Sequence, residues 1–98
     1  MKSMPQAEVM DLDMRCAAAH YLGEQLNRLD QASYRAELME QERSLARIEG
    51  YLAAMEHARR LTLYQCDQFR QLVSEAKHPL HLYGKTYWGL KAGYIVRD

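Results

Sequence analysis

The 98-residue chain carries 13 basic and 13 acidic side chains, is neutral overall, and contains five Gly and two Pro. Its length suits one domain with one core, and so few helix breakers favour long helices. Two cysteines, Cys16 and Cys66, exclude a disulfide scaffold and fit reduced thiols in a cytoplasmic protein. The opening residues Met1 to Gln6, followed by Glu8, Asp11 and Asp13, lack the apolar stretch of a secretory signal. No apolar run approaches the roughly 20 residues of a membrane span, so no membrane partner is expected.

Helical periodicity is the strongest signal along the chain. Leu12, Cys16, Ala19, Tyr21, Leu22, Leu26 and Leu29 recur at three- and four-residue steps and predict a helix over about residues 7–29. Tyr34, Leu38, Leu45, Ile48, Leu52 and Met55 predict a second over about 32–60, with Gln41 as a polar break in a narrow, coiled-coil-like seam. The stripes differ in phase across residues 29–33, where Asp30 and Ser33 are both good N-cap types. A turn there, closing a long antiparallel hairpin, is the preferred reading over a stutter in one continuous helix. One neighbour would not cover so narrow a seam, so Leu38, Leu45, Ile48, Leu52 and Met55 are expected to make a homodimer.

Thr62 is a natural N-cap for a third helix over about 63–77, with Leu63, Cys66, Phe69, Leu72 or Val73, and Ala76 on its apolar face. His78-Pro79 ends it, because the residue before proline is pushed out of the helical region. In residues 79–98 glycines divide short aromatic and β-branched pieces. They predict a small β-hairpin or irregular wrap, with a final helix from Thr86 as the alternative. The fold class is therefore mainly α: a long helical hairpin, a short third helix and a small C-terminal segment.

No catalytic or nucleotide motif is present. Gly84-Lys85-Thr86 resembles the end of a phosphate loop but lacks the preceding glycine that shapes the backbone nest. Cys16 and His20 share a helix face, and His78 and His81 lie beyond Cys66, yet four tetrahedral donors are not grouped. Both cysteines sit in apolar stripes, where a thiol behaves as a small hydrophobe, so neither a metal nor a cofactor is expected. The same placement argues against Cys66 as a nucleophile. A helix-turn-helix across residues 49–76 would expose Gln65, Gln68, Arg70 and Gln71, but Asp67 and Glu75 oppose contact with phosphate.

Charge is unevenly spread. Residues 1–56 hold ten acidic and six basic side chains, and residues 57–98 hold three acidic and seven basic. The C-terminal segment interleaves Tyr83, Lys85, Tyr87, Trp88, Lys91, Tyr94 and Arg97. Aromatic and cationic groups so mixed suit a protein interface and also suit bases and phosphates. The sequence points to binding rather than catalysis: a non-enzymatic protein engaging a protein partner as a regulator or inhibitor of a larger complex. A nucleic-acid-binding regulator using the basic C-terminal half is the alternative.

Overall fold

The computed structural model describes residues 6–97, and the side chains from residue 17 onward. Four helices follow one another: α1 (Gln6–Tyr34), α2 (Leu38–His57), α3 (Leu63–Lys77) and α4 (Lys85–Arg97). No strand occurs among the described residues. The expected C-terminal β-hairpin is corrected: residues 85–97 are helical and open one residue before the alternative start at Thr86. Glycines at positions 89 and 93 weaken helix propensity, but α4 buries Trp88, Ala92, Ile95 and Val96 at helical spacing. Burial of that stripe outweighs the propensity cost.

The first turn also lies elsewhere than expected. α1 runs through Asp30 and Ser33 to Tyr34, and the chain reverses at Ala36, whose φ is +57°. The Glu37 N–H donates to the Ala32 carbonyl at 2.8 Å and the Ala36 N–H to the Ser33 carbonyl at 3.3 Å. This is a Schellman ending with alanine in the left-handed position that glycine usually fills. Gln41, the polar break in the seam, donates to the same Ala32 carbonyl at 3.3 Å. α2 ends in the same way, with Arg59 at φ +59° and the Arg60 N–H reaching the Met55 carbonyl at 2.8 Å. Neither turn contains the glycine that would mark it in the sequence.

α1 and α2 are antiparallel: Tyr21 stacks on Tyr51 with ring centroids 4.6 Å apart, and Arg47 donates to Gln25 at 3.4 Å. Thr62 caps α3, accepting from the Gln65 N–H at 3.1 Å, while the Gln65 side chain accepts from the Thr62 N–H at 2.9 Å. This reciprocal pair satisfies two of the donors a helix start leaves open. The Gln65 amide also donates to the Ile95 carbonyl near the end of α4 at 3.2 Å. Gln65 is therefore buried, not exposed on a recognition face.

The chain thus runs down, up, down and up. α1 touches all three other helices, and α2 and α4 lie on opposite flanks without meeting. Ile48, Leu52 and Met55 are buried within this single chain, Leu45 is half-buried against the core, and Leu38 is 71% exposed. Three residues of the expected dimer seam, Ile48, Leu52 and Met55, are thus taken up by the core of one chain, while Leu38 stays at the surface. Leu63 also departs from its expected place and is exposed, while Cys66, Phe69, Leu72, Val73 and Ala76 are buried.

Candidate functional site: the α3/α4 groove

α4 is fastened to α1 at two points. At Gly23 an added Cβ would lie 2.9 Å from the Gly89 Cα, so the two backbones meet with no room for a side chain. Nearer the loop before α4, the Asp30 carboxyl is fully buried and accepts from the Trp88 indole N–H at 2.7 Å and the Tyr83 N–H at 3.0 Å. Asp30 lies just where α4 begins, and the positive end of that helix favours a carboxyl group there. Asp30 is thus a clamp for the C-terminal segment, not the N-cap its residue type suggested.

That clamp sorts the expected contact residues. Trp88 is fully buried, so it is removed from any partner surface. Tyr83 is half-buried, stacks on Tyr87 at 4.3 Å and meets the Trp88 ring edge-on. Lys85, Lys91, Tyr94 and Arg97 are exposed. The three cations make no ion pair among the described residues, and α4 holds no acidic side chain.

Between α3 and α4 runs a groove of about 530 Å³. Its apolar lining is Leu72 and Ile95 with Leu90 and Tyr94, the last two 71% and 73% exposed. Gln68, Gln71 and Glu75 line the α3 side, at the same three- and four-residue spacing as Tyr87, Leu90, Lys91 and Tyr94 on α4. Two matched helical stripes therefore face each other.

At one end of the groove the Tyr87 hydroxyl donates to Glu75 at 2.6 Å, and Lys91 lies over the Tyr87 ring at 5.5 Å. That hydrogen bond, reinforced by desolvation, pushes the Tyr87 phenol up to about 12. Glu75 and Lys91 thus both line that end of the groove, a carboxylate beside an ammonium.

The Cys66 thiol is buried, points toward the Leu52 carbonyl at 3.9 Å and is pushed up from its ordinary pKa, chiefly by burial. His20, His78 and His81 are exposed. Among the described residues no group of three or more His, Cys, Asp or Glu converges; the Cys16 side chain lies outside them. No helix among them is long and apolar enough to cross a membrane. Comparison with known proteins returns no matching family model, no matching curated protein and no matching solved structure.

Sequence reasoning missed the α3 wall of this groove. Gln68 and Gln71 read as the exposed side of a helix-turn-helix and Glu75 as a charge against it, and only the docking of α4 beside them makes a cleft. Leu90 was the available signal, being a large apolar residue off the buried stripe of a possible final helix.

Proposed function

We propose that this chain is a non-enzymatic interaction module, acting in the cytoplasm, that binds an amphipathic helical segment of a protein partner in the α3/α4 groove. The observation that carries the reading is the pair of matched stripes, with Leu90 and Tyr94 largely exposed above an apolar floor. Helix-in-groove recognition uses anchors at such spacing. Exposed aromatic and aliphatic side chains beside a cation have the composition of an interface centre. Lys91 and Arg97, which make no ion pair among the described residues, make an acidic segment the better fit. A regulator of a larger complex would work by occupying or releasing such a segment.

The test is a titration followed by amide NMR shifts, using a designed acidic amphipathic helical peptide, its basic counterpart and a mixed-sequence single-stranded oligonucleotide. The acidic peptide is expected to shift resonances of residues 68–75 and 87–95, and the basic peptide to bind more weakly. Shifts from the oligonucleotide alone, with steep loss of binding in salt, would replace this reading by the nucleic-acid one. Absence of shifts along the groove with any probe would overturn both.

A further inference from the structure

The register of the bundle carries α1 past the ends of α2 and α4. Tyr21 stacks on Tyr51 and Gln41 reaches Ala32, which brings the end of α2 level with about residue 15 of α1. Gly23 against Gly89 brings the end of α4 to about the same level. α1 begins at Gln6, so about nine residues, roughly 14 Å of helix, extend past the ends of both flanking helices. The molecule measures 52 Å along its longest axis against 26 and 20 Å across.

In sequence this overhang is Gln6-Ala7-Glu8-Val9-Met10-Asp11-Leu12-Asp13-Met14. It holds three acidic residues and no basic one, interleaved with Val9, Met10, Leu12 and Met14. The α4 wall of the groove has the opposite character: it carries Lys91, with Arg97 at the next helical step beyond Tyr94, and no acidic residue, Glu75 on the α3 wall being the one carboxylate in the lining. The lengths also match, since Tyr87 to Tyr94 spans roughly 11 Å of helix.

From the charge complementarity and the matching lengths we infer that the occupant of the α3/α4 groove is the N-terminal overhang of α1 from a second copy of this chain, exchanged reciprocally in a two-fold dimer. This inference rests on the groove being a docking site for an acidic amphipathic helix. A closed two-fold exchange uses both overhangs and both grooves, so no unpaired site propagates into a filament. It also gives the split charge of this neutral chain a use, the acidic end of one copy meeting the basic helix of the other. The dimer is then a self-masked state, and a partner helix must displace the overhang to bind.

Sedimentation equilibrium across a concentration series tests the exchange. The wild-type chain is expected at twice 11.5 kDa, with association weakened by salt. Lys91→Glu with Arg97→Glu opposes an acidic groove to an acidic overhang; Glu8→Lys, Asp11→Lys and Asp13→Lys together oppose a basic overhang to a basic groove. Each variant alone is expected to be monomeric with unchanged helicity by circular dichroism. An equimolar mixture is expected to dimerise, because both exchanged contacts are then complementary.

Dimers that persist in both variants, or a wild-type chain that stays monomeric throughout, overturn the exchange. The groove reading survives that result if the acidic peptide still shifts residues 68–75 and 87–95, and it falls separately if the peptide does not. Competition gives a second readout: the acidic peptide is expected to dissociate the wild-type dimer, and a dimer indifferent to saturating peptide contradicts the inference.

Discussion

The two faces of α4 put the same 13 residues to opposite uses. Its inner face, through Trp88, Ala92, Ile95 and Val96, is fully packed, touches the α1 backbone at Gly23 and is held by a buried carboxyl. Its outer face, through Leu90, Lys91 and Tyr94, is exposed beside a groove, with a cation that makes no ion pair among the described residues. Stability belongs on the first face and, on the proposed reading, recognition on the second, so substitutions a few residues apart on one helix should separate the two properties.

The largest expected effects break the inner face. Trp88→Ala removes a buried aromatic and its hydrogen bond, for about 3–5 kcal/mol. Asp30→Ala leaves the Trp88 and Tyr83 N–H groups without their acceptor, for about 2–5 kcal/mol. Because the two residues share one bond, urea denaturation of the double variant should show a cost well below the sum. Additive costs would mean that the clamp is not the link between α1 and α4.

The glycine crossing gives a sharper contrast. Gly23→Ala drives a Cβ into the Gly89 backbone and should cost about 1–3 kcal/mol. At Gly89 an added Cβ meets nothing within 4 Å, so Gly89→Ala should stabilise by about 1 kcal/mol through helix propensity. Thermal melts of the two variants should move in opposite directions, and equal losses would contradict the crossing geometry.

Tyr87 lies at the boundary between the faces, and its phenol is raised to about 12. A group that holds its proton more tightly when folded stabilises fully below its unfolded pKa, near 10, and loses that contribution as pH rises through its folded value. The stability difference between wild type and Tyr87→Phe should therefore hold through neutral pH and shrink from about pH 10 upward. Melting temperatures of both proteins across that range give the check, and a difference independent of pH would dismiss the Glu75 bond.

Smallest of all should be the outer face. Leu90→Ser and Tyr94→Ser should each change stability by no more than about 0.5 kcal/mol while removing acidic-peptide binding by NMR. A Tyr94→Ser variant that unfolds several degrees lower would show that this face too belongs to the core.

Periodicity made most of the helical architecture legible. The α2 stripe through Ile48, Leu52 and Met55 and the α3 stripe through Cys66, Phe69, Leu72 and Ala76 are buried as their spacing indicates, and Thr62 caps α3. Both depend on neighbours within one or two helical turns, and such local rules act before any tertiary contact forms. The turn after Tyr34 was misplaced for an equally local reason: Ala36 occupies a conformation that alanine rarely adopts. Only an unusual ending reveals it, and Ala36→Gly should stabilise the chain by about 1 kcal/mol.

What the tertiary structure alone decided depends on residues far apart in the chain. Residue type made Asp30 a plausible cap, but its partners Tyr83 and Trp88 are more than fifty positions away. Trp88 looked like a contact residue until that carboxyl drew its indole into the core. The segment after Pro79 has weak preference for either regular structure, because glycine and β-branched residues disfavour helix. α1 and α3 supply the surface on which only a helix buries Trp88, Ala92, Ile95 and Val96 together. The groove follows from that docking: its two walls are local stripes that the sequence displays, and their facing one another is a property of the packed bundle.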